Sequence, residues 1–131
     1  MAKVLIVDND RTTVSLLKIL LELDGHSVAV AGAPDAFLED VHRVGPDIVL
    51  MDVFLAGGDG LDLLRKMRAE PLLASVPVLM CSGMNLAEEC AAAGANGFLL
   101  KPYTPEQLSS ALAAALRAVT PPSASALGKE T

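Results

Sequence analysis

Apolar and polar positions divide the chain into five short apolar runs separated by stretches with helical periodicity. The runs are largely continuous, which is typical of strands buried on both faces of a parallel sheet. The second run is less apolar than the others, which favours an edge position. The predicted strands cover residues 4–7, 27–31, 48–51, 76–81 and 97–100.

Helices are predicted between the strands, because start and stop signals frame each helical stretch. Asp10 is placed to cap the first helix, and Gly25 follows its end. Thr104 and Gln107 have the spacing of a capping box before the last helix, whose apolar positions recur through Val119. The predicted helices cover residues 11–24, 34–44, 61–69, 86–93 and 105–119, with a loop at 53–60.

The strict alternation of strand and helix predicts right-handed crossovers and a doubly wound α/β fold. We therefore expect a flavodoxin-like parallel sheet of five strands in the order 2-1-3-4-5, covered by five helices. The folded domain is expected to span residues 1–119. Residues 120–131 are rich in Pro, Ser and Ala and are expected to form a flexible tail or the start of a linker.

The charge of the chain narrows the classes of partner. The formal net charge is -6 and the basic residues are dispersed, whereas a surface that binds nucleic-acid phosphates needs clustered Lys and Arg. Arg65, Lys66 and Arg68 form a local basic group, which we interpret as the solvated last turn of a helix. Direct nucleic-acid binding is therefore not expected.

The cysteines and the apolar content indicate a cellular setting. Cys81 and Cys90 do not suggest a disulfide framework or a zinc site and are expected to be reduced thiols. The sequence has no signal-peptide pattern and no apolar stretch long enough to span a bilayer. We therefore expect a cytoplasmic protein that does not contact a membrane.

The apolar runs end at side chains suited to phosphoryl chemistry. In a parallel sheet the carboxyl ends of the strands share one edge, so these side chains are expected to converge. Taken singly, each has a structural explanation as a cap, a turn residue or a surface cation. A lone charge at the end of a buried run is costly without a partner, however, so convergence favours a site. The residues concerned are Asp8, Asp10, Asp52, Ser82 and Lys101.

Four segments at these strand ends resemble the receiver domain of bacterial two-component response regulators. They are VDND (7–10), MDVFLAGGDG (51–60), CSG (81–83) and AGANGFLLKP (93–102). The resemblance implies that Asp52 accepts a phosphoryl group from a phosphohistidine of a histidine kinase or phosphotransfer protein. It also implies that Ser82 hydrogen-bonds the phosphoryl group and that Lys101 pairs with it.

The resemblance further implies a Mg²⁺ site, which suits the oxygen ligands present. Asp8 would act through water, Asn9 and Asp52 directly, and Phe54 through its backbone oxygen. Asn9 stands where a second carboxylate is usual in the family, and an amide oxygen carries no charge of its own. We therefore expect weaker Mg²⁺ affinity than in a relative with two acids there. Asp10 is better explained as the cap of the first helix.

The resemblance also assigns roles to three other side chains and to one peptide bond. Phe98 occupies the position of an aromatic switch that responds when Ser82 engages the phosphoryl group, and we expect it to point inward. Phe54 and Met84 occupy positions that tune dephosphorylation, and their apolar side chains are expected to slow it. The Lys101–Pro102 bond is expected to be cis, which would aim the lysine inward.

Three classes of function remain as hypotheses. The first is a phosphorelay receiver that catalyses only its own phosphorylation and dephosphorylation, and that meets a downstream protein through its fourth helix, fifth strand and fifth helix. A homodimer is possible. The second is a pseudo-receiver, a protein-interaction module that is independent of phosphorylation, for which Asn9 and Phe98 are the evidence. The third, a phosphohydrolase with Asp52 as nucleophile, is disfavoured because Phe54 leaves no adjacent general acid.

Overall fold

A five-stranded parallel sheet organises the protein, and the computed structural model describes residues 1–118. Its strands are β1 (Lys3–Val7), β2 (Ser27–Val30), β3 (Ile48–Asp52), β4 (Val78–Ser82) and β5 (Gly97–Leu100). Their spatial order is β2-β1-β3-β4-β5, and every neighbouring pair is parallel. The predicted order and the edge position of the second strand are confirmed.

Five α-helices connect and cover the strands. Asp10 caps the first helix by accepting a hydrogen bond from the backbone N–H of Thr12, as predicted. Thr104 and Gln107 form both halves of the predicted capping box at the last helix. The helices are α1 (Arg11–Leu23), α2 (Phe37–Val44), α3 (Gly60–Ala69), α4 (Ala87–Ala92) and α5 (Pro105–Arg117).

Two apolar layers lie on opposite faces of the sheet. Alternate residues of β1 supply both layers: Val4 and Ile6 belong to one, Leu5 and Val7 to the other. The first layer packs against α1 and α5, and the second against α2, α3 and α4. Because every central strand is buried on both faces, the strand ends are held in a fixed relation to one another.

The structure corrects several predicted boundaries. Residues 53–60 are not an irregular loop, because Phe54–Leu55 and Gly58–Asp59 pair as a short antiparallel hairpin. The segment Pro34–Ala36 is a 3₁₀ turn that precedes α2. The fourth strand begins at Val78 rather than at residue 76, since Pro77 has no N–H to give to a ladder. Val119 and the predicted tail at 120–131 lie outside the described residues.

The environment of Arg68 contradicts the expectation that Arg65, Lys66 and Arg68 form a solvated helix end. Its guanidinium is half-buried and donates to Gly94 O, Val76 O and Asn96 Oδ1 at 2.9, 2.8 and 2.9 Å. Asn96 Oδ1 also accepts from Val78 N at 2.8 Å. Arg68 therefore ties the end of α3 to the starts of β4 and β5, a role that only the tertiary structure reveals.

Within residues 1–118, none of the helices combines the length and apolar character needed to cross a bilayer.

Candidate functional site

Acidic, hydroxyl and ammonium groups meet at the carboxyl edge of the sheet. Asp52 is the last residue of β3, and its Cα pairs in register with Cys81, the residue before Ser82. Asp8 directly follows β1, and Lys101 directly follows β5. The parallel register therefore brings these side chains to one edge, although they are far apart in sequence.

The ammonium of Lys101 lies between two carboxylates. Its Nζ donates to Asp52 Oδ2 at 2.9 Å and is 3.6 Å from Asp8 Oδ2. The Asp8 and Asp52 side chains are 4% and 14% exposed, and that of Lys101 is 29% exposed. Two nearly buried carboxylates side by side repel one another, and the shared lysine compensates that repulsion.

Opposing effects set the protonation state of Lys101. Burial acts to lower its pKa, but the hydrogen bond to Asp52 and the nearby negative charges outweigh burial and raise the pKa above its usual value. The side chain is therefore a cation at neutral pH. Such a fixed positive charge is suited to stabilise an anion that forms on Asp52.

Cys81 is a second potential nucleophile close to Asp52. Burial, and then the charge of Asp52, raise the pKa of its thiol to about 12. The thiol is also 1% exposed. Because the thiolate is the reactive form, Cys81 stays inert at neutral pH.

Backbone N–H groups fix both carboxylates from the side opposite the lysine. Asp8 Oδ1 accepts from Asp10 N at 2.9 Å, and Asp52 Oδ1 accepts from Phe54 N at 3.3 Å. Each acid thus uses one oxygen in a local turn and directs the other towards Lys101. The two carboxylates are held in place before any ligand binds.

Asn9 joins the first loop to the hairpin. Its Oδ1 accepts a hydrogen bond from the backbone N–H of Ala56, the middle of the segment after Asp52. This contact was not foreseen from the sequence, because Asn9 and Ala56 lie on different strands' loops. It leaves Asn9 with one lone pair on the amide oxygen for any further contact.

Asp10 faces its own helix rather than the site. Its carboxylate accepts from Thr13 Oγ1 at 2.6 Å and from Thr12 N at 3.3 Å. The hydrogen bond from Thr13 is the main reason that the pKa of Asp10 is lowered. The prediction that Asp10 acts as a cap is confirmed.

Ser82 and Phe98 lie on neighbouring strands. The Ser82 side chain is fully buried, and its Oγ accepts from Met84 N at 3.0 Å. Its hydroxyl proton is not used in that bond. Phe98 pairs in register with Met80 and is half-buried, with its ring packed against the core layer that contains Met80.

The rim of the site is apolar. Phe54 and Met84 are each 59% exposed, although both are large hydrophobic residues. At the end of β5, the Lys101–Pro102 peptide bond is cis. Lys101 N donates to Ser82 O at 2.8 Å, which extends the pairing of β4 and β5 to the lysine itself.

Gly60 allows α3 to begin directly against the end of β3. A Cβ at this position would lie 2.2 Å from Asp52 O and 2.9 Å from the Cα of Val53. Gly60 N also donates to Val53 O at 2.7 Å. The absence of a side chain at Gly60 is therefore part of how the backbone of Asp52 is positioned.

Residues 4–113 match the family model of the response regulator receiver domain, a stretch that contains every site residue named above. This chain belongs to the response regulator receiver family. The resemblance in the four strand-end segments is thereby confirmed. Two-component signal transduction by phosphorylation is the function class of this receiver domain.

Two curated relatives of the receiver domain are mycobacterial regulators. The DNA-binding response regulator MtrA of Mycolicibacterium paratuberculosis is 31% identical over 118 residues, which cover 88% of this chain and 51% of MtrA. The sensory transduction protein RegX3 of Mycolicibacterium smegmatis is 32% identical over 120 residues, which cover 89% of this chain and 51% of RegX3. The chain thus spans about half the length of the curated relatives it matches.

Solved structures confirm the flavodoxin-like fold. A putative response regulator from Chloroflexus aurantiacus superimposes with a TM-score of 0.83 at 32% identity, over 88% of this chain and 98% of that one. The chemotaxis response regulator CheY4 of Vibrio cholerae gives a TM-score of 0.81 at 27% identity, with the same coverage. Neither set of relatives favours the pseudo-receiver hypothesis.

The donor set of the receiver site fits a hard divalent cation. Asp8, Asp52 and Asn9 offer oxygen atoms only, and magnesium prefers oxygen ligands over nitrogen or sulfur. Residues 1–118 contain no group of three or more His, Cys, Asp or Glu side chains that could hold a metal ion. Because Asp8, Asp52 and Asn9 are few ligands, they suit a magnesium ion that keeps several waters.

Proposed function

We propose that this receiver domain accepts a phosphoryl group on Asp52 from a phosphohistidine of a histidine kinase or phosphotransfer protein. The observation that carries the proposal is the Asp52 carboxylate held 2.9 Å from the ammonium of Lys101, with Asp8 on the ammonium's other side. A structural ion pair with Lys101 would need only one carboxylate. The second carboxylate adds a negative charge that does not stabilise the fold, which supports a functional role for the pair.

The transfer forms a bond between a carboxylate oxygen of Asp52 and phosphorus, and it breaks the bond between phosphorus and the donor imidazole nitrogen. That nitrogen keeps the electron pair, so the donor leaves as imidazole. Negative charge is spread over the three equatorial oxygens during the transfer. Lys101 would neutralise part of this charge. The buried Ser82, one residue beyond the register partner of Asp52, would donate its hydroxyl proton to one of these oxygens, and its position at the end of the neighbouring strand supports this role.

Receiver domains of this family typically use Mg²⁺, and the residues of this site support its binding here. Asp8 would hold it through water, Asn9 and Asp52 directly, and Phe54 through its backbone carbonyl. The bound ion would supply charge neutralisation for the carboxylates and the incoming phosphoryl group. Lys101 alone cannot balance two carboxylates and a phosphoryl dianion, which is the physical reason to expect a cation.

Phe54 and Met84 are proposed to slow hydrolysis of the phosphorylated form. Both side chains project from the rim of the site and lack groups that would orient an attacking water. Replacing both with polar residues, as in Phe54→Asn with Met84→Asn, is expected to shorten the lifetime of the phosphorylated protein. An unchanged lifetime would contradict this role, and Leu72→Asn serves as the control because Leu72 is exposed in a different loop.

Phosphorylation is proposed to change the surface formed by α4, β5 and α5. Ser82 ends β4, and Phe98 on β5 pairs with Met80, two residues before Ser82. A shift of Ser82 towards the phosphoryl group would therefore reach that surface through packed neighbours. The net charge of -6 supports a protein partner rather than nucleic acid for this domain. Such a relay operates in the cytoplasm.

A magnesium titration with acetyl phosphate tests the proposed function. The wild-type chain is expected to gain the mass of one phosphoryl group, at a rate that rises with Mg²⁺ and saturates. Lys101→Met is expected to lower the rate by roughly 100-fold, the usual effect of removing one charge-stabilising group. No added mass at any Mg²⁺ concentration would favour the pseudo-receiver instead. A wild-type rate that is independent of Mg²⁺ would contradict the proposed role of the ion.

A further inference from the structure

The hydrogen bond between Asn9 and Ala56 joins a fixed segment to a weakly held one. Asn9 lies between two anchored neighbours, because Asp8 Oδ1 accepts from Asp10 N at 2.9 Å and Asp10 caps α1. The backbone of Asn9 is therefore held on both sides. Its Oδ1 accepts from the backbone N–H of Ala56, at the tip of the hairpin that follows Asp52.

The hairpin depends on contacts outside itself. Its strands pair only Phe54–Leu55 with Gly58–Asp59, and an isolated two-stranded hairpin is marginally stable. Ala56 and Gly57 form the turn, with a positive φ of 79° at Gly57 but none at Ala56. The turns that match the twist of hairpin strands, types I′ and II′, need a positive φ at the first of these two residues. The turn itself therefore favours the closed hairpin only weakly, and the hydrogen bond to Asn9 fastens its tip.

The tip of the hairpin has room to move, whereas its base is packed. Ala56 and Gly57 are exposed, and nothing lies within 4 Å of a Cβ at Gly57. At the base, Leu55 is buried in a core layer, and a Cβ at Gly58 would lie 2.7 Å from the Cβ of Pro34. Loss of the hydrogen bond at the tip would therefore release the turn while the base stays in place.

The side chain of Asn9 has one acceptor atom, and the proposed magnesium site uses the same atom. A carboxylate at this position could give one oxygen to the N–H of Ala56 and the other to the ion. The amide offers only Oδ1, since its nitrogen is a donor. A divalent cation on Oδ1 draws charge from the second lone pair and repels the positive end of the N–H dipole. Binding of the ion and closure of the tip therefore oppose each other at Asn9.

We propose that Asn9 couples magnesium to the hairpin: direct ligation of Mg²⁺ by its Oδ1 weakens the hydrogen bond from Ala56 N and releases the tip. The inference rests on the proposed function, because it takes the magnesium site of that function as given. Asn9 is thus a positioning residue for the segment that carries Phe54 at the rim of the site. The metal-free protein holds the tip closed, and magnesium alters the rim that a phosphoryl donor would approach.

Hydrogen exchange of the Ala56 amide, followed by NMR during a magnesium titration, tests the coupling. In the wild-type chain this amide is expected to exchange slowly without metal and about fivefold faster at saturation, as for the loss of one ordinary hydrogen bond. The midpoint should match that of the shift of the Asp52 amide. Asn9→Asp has a second oxygen and is expected to keep the slow exchange at saturation. Asn9→Ala should exchange fast with or without the ion.

The two amides separate this inference from the function on which it rests. An Ala56 amide that stays protected while magnesium shifts the Asp52 amide would overturn the coupling and leave the magnesium site intact. Fast exchange of the Ala56 amide in the metal-free wild-type chain would also overturn only the coupling. If magnesium shifts neither amide, both the coupling and the proposed magnesium site are wrong.

Removing the donor instead of the acceptor tests the same coupling from the other side. Ala56→Pro deletes the N–H, and proline is favoured at the first central position of turns with a positive φ at the second. Because Oδ1 of Asn9 is then free, Mg²⁺ is expected to bind about fivefold more tightly in calorimetry, by the net contribution of one hydrogen bond. Ala56→Ser is the matched control, since it retains the N–H and should bind Mg²⁺ as the wild-type chain does. Equal affinities of the proline and serine variants would overturn the proposal.

Discussion

Replacing Gly60 with alanine gives opposite predictions from sequence and from structure. Gly60 is the first residue of α3, and helix propensity predicts that alanine in a helix is more stable than glycine by about 0.5–1 kcal/mol. In the structure, however, the added Cβ would lie 2.2 Å from Asp52 O and 2.9 Å from the Cα of Val53. Both contacts are with backbone atoms, which cannot rotate away as a side chain would.

The cost of this contact exceeds the gain in propensity. Relieving it requires the start of α3 to move away from the end of β3 by about an ångström, a kind of overpacking that costs about 1–3 kcal/mol. We therefore expect Gly60→Ala to lower the free energy of unfolding by about 2 kcal/mol. The same movement displaces Asp52 relative to Lys101, so the rate of phosphorylation by acetyl phosphate is expected to fall as well.

Urea unfolding followed by circular dichroism measures the change in stability. Gly83→Ala is the matched control, because nothing lies within 4 Å of a Cβ at Gly83. We expect the control to change the free energy of unfolding by no more than about 0.5 kcal/mol. If Gly60→Ala is as stable as the wild-type chain or more stable, the close approach of α3 to Asp52 is not as described.

Three further predictions concern stability and metal binding. Arg68→Met removes three hydrogen bonds from a charged donor and should lower the free energy of unfolding in urea by about 2–4 kcal/mol. Arg65→Met, on the exposed side of α3, is the control and should have little effect. Equal effects of the two variants would contradict this role of Arg68. Asn9→Asp adds a negative charge at the predicted magnesium site and should tighten Mg²⁺ binding by about tenfold in calorimetry, an outcome that unchanged affinity would refute. The pKa of Asp40 is lowered, chiefly by the hydrogen bond from Arg43. The charged carboxylate therefore stabilises the fold at pH values above 3.8, the ordinary pKa of the group, and this stabilisation is lost as the pH falls below that value. Asp40→Asn should therefore be less stable than wild type by about 1 kcal/mol at neutral pH, and unfolding curves of the two proteins should converge in acid; a constant difference at all pH values would contradict the linkage.

The sheet could be predicted from sequence because its strands are buried on both faces. Continuous apolar runs such as residues 48–51 are distinguished from helices because stretches with helical periodicity alternate with them. Their parallel order then places Asp52 and Lys101 at one edge without any knowledge of contacts. The site could be located for the same reason, since it is a consequence of topology.

Features set by close packing could not be predicted in this way. The hairpin at residues 54–59 pairs only two residues on each strand, which is too short for a periodic signal. Arg68 has the sequence surroundings of a surface cation, and only the meeting of α3 with the segments before β4 and β5 supplies its acceptors. The hydrogen bond from Ala56 to Asn9 likewise depends on how two loops approach one another.

The central claim is that Asp52 carries an acyl phosphate, and borohydride reduction followed by peptide mapping tests it most directly. The chain is treated with acetyl phosphate and magnesium, reduced, digested and analysed by mass spectrometry, with Asp52→Ala as the control. We expect reduction to homoserine at position 52 and at no other acid, and no phosphoryl mass in the control. A reduced residue at Asp8 or Asp10 instead, or an undiminished phosphoryl mass in Asp52→Ala, would contradict it.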